Sequence, residues 1–391
     1  MEPAGRGPAG RAVRGRAVVS PAWTASWTQA VTDVAVADLE LRDVTVRITV
    51  EAGVGGERLR AGLSNRFGTT PLHVGRAAVR VDGRAAPMRF GGRSAVDVPA
   101  GEDLVCDPVD LAVVAGAAVE VDLYLPGPWR YATANVSTAT WHPSAPGDHA
   151  GSDHFPGRAT PVLTLPDGAE MELPAPVLRD VEVLRDVPTP VVVCLGDSIT
   201  AAGWPERTAR RLRDRPVAVV NRGIAGNRLR LDGAGPFGPV FGASGRSRFD
   251  RDVLATAGRT HVVVALGVND LGHPGTMAPE DQLPSSEQLI RALDGIGARA
   301  RDAGLSVLTA TVTPFDGAEG FDRERELRRA EVNEWIRGLG SGVVDFDAAL
   351  RSGPGAIALA PRFDSGDHLH PGDAGLDRMA DVAAEVLGRS V

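Results

Sequence analysis

The hydrophobic rhythm of the chain changes near its middle. In the first half, DVTVRITV (43–50), RLRAGL (58–63), AAVRV (77–81) and AVEVDLYL (118–125) alternate apolar and polar residues with a period of two, as strands with one buried and one wet face do. Glycine pairs at 55–56 and 91–92 cut these runs short. Short alternating strands with frequent turn residues predict an antiparallel β-sandwich over 21–185. In the second half, the apolar runs VVVCL (191–195), VAVV (217–220), HVVVAL (261–266), SVLTATV (306–312) and GVVD (342–345) alternate with helical stretches at 206–213, 286–303, 323–339 and 374–387. Leu289, Ile290, Leu293 and Ile296 fall on one face of the second of these helices. Apolar strands alternating with amphipathic helices predict a parallel sheet covered on both faces, an α/β, flavodoxin-like three-layer domain over 186–391.

At the junction, PAP (174–176) and PTP (188–190) bracket 177–187, which reads as a linker strand leading into the second sheet. Residues 1–20 are mostly Gly, Pro, Ala, Val and Arg without period, and read as a disordered arm. Asp373 directly precedes the last helical stretch and is expected to cap it.

Candidate chemistry sits at the ends of the second-half strands. The run VVVCLGDSIT (191–200) carries an apolar strand into a turn that presents the hydroxyl of Ser198. Serine needs a neighbouring imidazole to take its proton, and the imidazole needs a third group to fix its tautomer. Near the C-terminus, DSGDHLHP (364–371) places Asp367 three residues before His370, close enough for one turn to hold carboxylate against ring. A competing role for Asp367 is to close an Asx turn, but that leaves Ser198 and His370 unexplained. Two further segments, NRGIAGN (221–227) and GVND (267–270), each follow an apolar strand. They offer donors to a developing oxyanion: the Gly226 N–H, which no side chain blocks, and the Asn269 amide.

The blocks GDSIT, GIAGN, GVND and DHLHP resemble, in order and spacing, the signature of the SGNH (GDSL-type) hydrolase family over 186–391. The resemblance implies an SGNH hydrolase domain with Ser198 as nucleophile and with Asp367 and His370 completing the triad. The oxyanion hole it implies is the Ser198 N–H, Gly226 and Asn269. It also puts the base at the histidine directly before the proline, His370 rather than His368. Asp197 and Asp270 are expected to brace their loops as supporting residues. WTASWTQ (23–29) and NRFGTTPL (65–72) resemble the opening segments of actinobacterial two-domain members, in which a β-sandwich precedes the hydrolase.

Composition changes this picture little. Acidic and basic residues are mixed along the chain, with a net charge of −8, which argues against a nucleic-acid or anionic membrane partner. Two cysteines imply no disulfide framework. The N-terminus has no apolar stretch of the signal-peptide kind, so the chain as written reads as cytoplasmic, or as secreted if its start is truncated. His142, His149, Asp153 and His154 crowd one loop but match no metal-ligand spacing, so no metal and no cofactor are expected, and the loop is read as shaping the active-site entrance. Arg222, Arg228 and Arg230 flank the oxyanion glycine and could grip an anionic substrate group. The expected activity is serine-dependent hydrolysis of a carbohydrate or small-molecule ester. The alternatives are an acyltransferase or cyclising enzyme using the same acyl-enzyme, and a binding module with a vestigial hydrolase half. Substrate identity and oligomeric state are not encoded in these motifs.

Overall fold

The computed structural model describes residues 21–164, 168 and 170–391, so the arm expected over 1–20 lies outside the described residues. The first half is a two-sheet antiparallel sandwich. Its principal strands are β1 (Ala22–Thr28), β2 (Val44–Glu51), β3 (Arg58–Ser64), β4 (Arg76–Val81), β5 (Arg84–Pro87), β6 (Asp103–Val105), β7 (Ala118–Leu125), β8 (Thr140–Pro146) and β9 (Leu178–Arg185). One sheet runs β1-β9-β3-β6 and the other β8-β2-β7-β4-β5. The period of two is realised directly. Val44, Val46, Ile48 and Val50 of β2 point inward, as do Val119, Val121, Leu123 and Leu125 of β7, and the two strands pair in register as Ile48 with Val121 and Val46 with Leu123.

The segment 177–187 is not a linker strand. Its residues form β9, which pairs antiparallel with both β1 and β3 and buries Val181 and Val183 completely. β1 and β3 are not neighbours, and without β9 each would present an unpaired edge inside the sheet. The chain passes from one half to the other after Arg185.

The second half is a five-stranded parallel sheet of β10 (Val191–Gly196), β11 (Ala218–Gly223), β12 (Arg259–Ala265), β13 (Ser306–Ala310) and β14 (Val343–Val344), ordered β11-β10-β12-β13-β14. This is the flavodoxin-like order. Its direction of winding reverses between β10 and β12, and open α/β sheets place ligands outside the carboxyl ends of the strands there. The helices are α1 (Ser198–Ala201), α2 (Trp204–Arg211), α3 (Gly238–Phe241), α4 (Gly245–Phe249), α5 (Val268–Gly272), α6 (Ser286–Asp302), α7 (Arg323–Arg337), α8 (Phe346–Leu350) and α9 (Asp373–Ser390). α2 packs against α9, and α6 against α7. Ser285 and Gln288 form a capping box at the start of α6. The cap expected of Asp373 is not made. Gly372 occupies the cap position, and the Asp373 carboxylate, in the first turn of α9, instead accepts from Arg207 at 2.5 Å.

β11 would be an exposed edge, but the sandwich covers it. β1 lies against β11, and the Thr28 hydroxyl donates to the Asn221 carbonyl at 2.7 Å. The buried Arg222 guanidinium donates to the Gln29 carbonyl and to Asp180, each at 2.5 Å. Glu51 receives both Arg210 and Arg213. Among the described residues, no helix is long and apolar enough to cross a membrane.

Candidate active site

The turn that presents Ser198 is built by close packing at the strand ends. β10 ends at Gly196, the buried Asp197 caps α1 by accepting the Ile199 N–H at 3.0 Å, and Ser198 is the first residue of that helix. The turn nests against Gly223 at the end of β11, where a Cβ would stand 2.3 Å from the Ala201 nitrogen and 2.8 Å from the Asp197 carbonyl oxygen. Only glycine fits this approach. Burial pushes the Asp197 carboxyl up to about 7, against the opposing pull of the Ile199 N–H and of His370.

The loop before α9 brings the other groups to Ser198. His370 Nε2 lies 2.8 Å from Ser198 Oγ, and His370 Nδ1 lies 2.6 Å from Asp367 Oδ2. The other oxygen of Asp367 accepts the Leu369 and His370 N–H groups at 3.0 and 2.8 Å and the Ser365 hydroxyl at 3.1 Å. Asp367 therefore closes an Asx turn and holds the imidazole at once. Partial burial pushes its carboxyl up, but the His370 N–H groups and the Leu369 N–H overcome this and hold it well below the usual range. His368 makes a parallel pair with Asp364 at 2.6 Å, on a residue of positive φ, with no hydrogen bond to Ser198.

The loop of Gly226 is tied to the start of α5, which carries Asn269. Gly226 has φ +70°, and a Cβ there would lie 2.1 Å from the Phe241 ring. Asn269, buried on α5, donates from Nδ2 to the Asn227 carbonyl at 3.0 Å. Asp270 straps the same loop by accepting the Leu229 and Arg230 N–H groups at 2.6 and 3.0 Å. Burial pushes the Asp270 carboxyl up to about 6.

The arginines do not form the anion grip that their position suggests. Arg222 is the bolt between the two halves described above, and Arg228 is buried and donates to Gln282 at 2.7 Å. Arg230 opens with Arg246 and Arg299 onto a separate surface hollow. Such roles depend on which way each side chain leaves the backbone, which spacing alone does not specify. The four residues expected on one loop are divided: His142 lies in β8 opposite Arg47, and the loop of His149, Asp153 and His154 is fastened to the sandwich, the His149 N–H donating to Thr45 and Asp153 accepting from Arg80. Among the described residues, no group of three or more His, Cys, Asp or Glu side chains is placed to hold a metal.

Sequence reasoning missed the group beneath the site. Arg248, fully buried, donates to the carbonyls of Gly196 at 2.7 Å and Arg222 at 2.8 Å, to Asn227 Oδ1 at 3.0 Å and to Asp252 at 2.9 Å. It thus joins the strand end before Ser198 to the loop of Gly226. Asn227 completes this brace by donating to the Phe241 and Ala243 carbonyls, both at 2.8 Å. The i, i+4 pair of Arg248 and Asp252 was readable, but nothing in it signalled burial.

The five-stranded parallel sheet with its helices fits the α/β domain of an SGNH hydrolase. Residues 194–378 match the model of the GDSL-like lipase/acylhydrolase family. The chain thus carries a GDSL-like lipase/acylhydrolase domain over these residues, behind an N-terminal β-rich region, and the protein is a serine ester hydrolase. Solved structures similar to the chain include a GDSL-like lipase from Bacteroides thetaiotaomicron, 20% identical over 52% of this chain and 89% of that one, with a TM-score of 0.39. Est24, a carbohydrate acetylesterase from Sinorhizobium meliloti, is 14% identical over 52% and 100%, with a TM-score of 0.41. A variant of the acetyl xylan esterase Axe2 from Geobacillus stearothermophilus is 19% identical over 51% and 94%, with a TM-score of 0.39. No curated protein matches the chain.

Proposed function

We propose that the protein hydrolyses a carboxylic ester of a carbohydrate or other small molecule through an acyl-enzyme on Ser198. The observation that carries this reading is the continuous chain Ser198 Oγ, His370 Nε2, His370 Nδ1, Asp367 Oδ2, with links of 2.8 and 2.6 Å. Neutral His370, its Nδ1–H donated to Asp367, accepts the Ser198 proton at Nε2 as Oγ attacks the ester carbonyl. The Ser198 and Gly226 N–H groups and the Asn269 amide donate to the oxyanion, and the intermediate collapses as His370 protonates the departing alcohol. Water then enters, loses its proton to His370 and releases the acid, which restores Ser198.

Asp197 and Asp270 act in this scheme as braces, one capping the helix of the nucleophile and the other fixing the loop of Gly226. The accessory sandwich spans 21–185 and the hydrolase unit 186–391 in this reading. Incubation with p-nitrophenyl esters from acetate to decanoate and with acetylated sugars, followed by product analysis, tests it. Release of free acid in step with alcohol is expected. A new ester or amide in place of free acid would make the protein an acyltransferase, and the absence of turnover on every ester would contradict the reading.

A further inference from the structure

One side chain beside the candidate site has no part in the mechanism above. His273 follows Asn269 by one helical turn at the end of α5, and its N–H donates to the Asn269 carbonyl at 3.1 Å. Residues four apart share a helix face. A cavity of about 230 Å³ opens there, bounded by Asn269 and His273 on one side, by Phe315, and by Asp367 and Leu369 on the other. It lies between the oxyanion amide and the loop that carries His370. The imidazole packs on Phe241, with ring centroids 5.1 Å apart, and Phe241 in turn covers Gly226.

Among the described residues, neither ring nitrogen of His273 has a hydrogen-bond partner. Burial, with Arg228 nearby, pushes the ring down to about 4. At neutral pH it therefore offers one donor and one acceptor to whatever fills the cavity. Apolar walls with a small number of placed polar groups are the usual make-up of a site that fixes a ligand's orientation.

We propose that His273 is a specificity-determining residue that hydrogen-bonds a hydroxyl on the alcohol portion of the ester, so that the preferred substrates are acyl esters of hydroxylated alcohols, sugars included. The inference rests on the ester-hydrolase reading given above. The alcohol side follows from position, because the cavity abuts Asp367 and Leu369 on the loop of His370, and the departing alcohol takes its proton from His370.

The test is the ratio of kcat/KM for 2-hydroxyethyl acetate over ethyl acetate in wild type, His273→Phe and His273→Gln. This ratio does not depend on how much of each variant is folded. Wild type is expected to favour the hydroxylated ester by about tenfold, the discrimination one neutral hydrogen bond supplies. His273→Phe, which keeps the ring packing, should bring the ratio to about one, and His273→Gln should keep most of the preference. A ratio near one in wild type, or a ratio unchanged in His273→Phe, would overturn the proposal. Turnover and labelling by a serine-directed phosphonate with a flat ratio removes this proposal alone, whereas loss of both in wild type removes the ester-hydrolase reading and this inference with it.

Discussion

Asp367 binds through both of its oxygens, and the two have separable consequences. One closes the turn through the Leu369 and His370 N–H groups, and the other holds His370 Nδ1. In Asp367→Asn the amide oxygen can keep the turn, but an NH2 then faces Nδ1 and favours the wrong tautomer. We expect kcat to fall on the order of 10³- to 10⁴-fold with KM nearly unchanged, read by steady-state kinetics. A loss confined to KM would contradict the assignment. Asp197 carries a different prediction. Burial raises its pKa on folding to about 7, so the chain takes up a proton there as it folds. The stability linked to that proton is present at low pH and is lost as pH rises from about 4 through about 7. Asp197→Asn keeps an oxygen for the Ile199 N–H and does not titrate, so its Tm should rise relative to wild type across that interval. A difference that stays flat with pH would show that Asp197 is charged in the folded protein. Ser198, Gly226 and Asn269 could be singled out from sequence because each lies in a short motif after an apolar strand, and Asp367 and His370 because three residues separate them in one motif on the loop before α9. Arg222 was misread because its backbone position resembles theirs, and only the direction of its side chain separates it from them.

At the scale of elements, the strands and long helices were legible because burial period sets them: the span read at 118–125 is β7 residue for residue, and the helix read at 286–303 is α6, Ser286–Asp302. The edge-to-core assignment of β9 was not legible, since prolines on both sides of a strand mark a boundary without saying which sheet owns the strand between. The hub at Arg248 was equally hidden. It serves the ends of β10 and β11 and the Gly226 loop through groups distant in sequence. Arg248→Met would leave Asp252, Asn227 Oδ1 and two carbonyls short of a donor. We expect a destabilisation of about 3–5 kcal/mol in urea unfolding, together with loss of turnover. A stability within 1 kcal/mol of wild type, a change on the order of an ordinary surface substitution, would show that the brace is dispensable.

For the whole molecule, the sandwich is a cover for the hydrolase sheet. Its β1 lies on the free edge of β11, and Arg222 crosses the seam to Gln29 and Asp180. The period-two strands and frequent turns of the first half announced the sandwich, but nothing in them indicated that it would close the edge of the second sheet. Arg222→Met removes one partner of a buried pair, and Asp180 keeps Arg179 at 2.5 Å, so a loss of about 3 kcal/mol is expected. Limited proteolysis should then cut the variant near 186–190 faster than wild type. Equal cutting rates would mean that the seam is held without this bolt.

In the proposed reaction Ser198 is the nucleophile that forms the acyl-enzyme. Intact-mass measurement after treatment with a serine-directed fluorophosphonate tests it most directly. One phosphonyl adduct per chain is expected in wild type, mapped to the peptide containing Ser198, and none in Ser198→Ala. Equal labelling of both proteins, or an adduct on another residue, would contradict it.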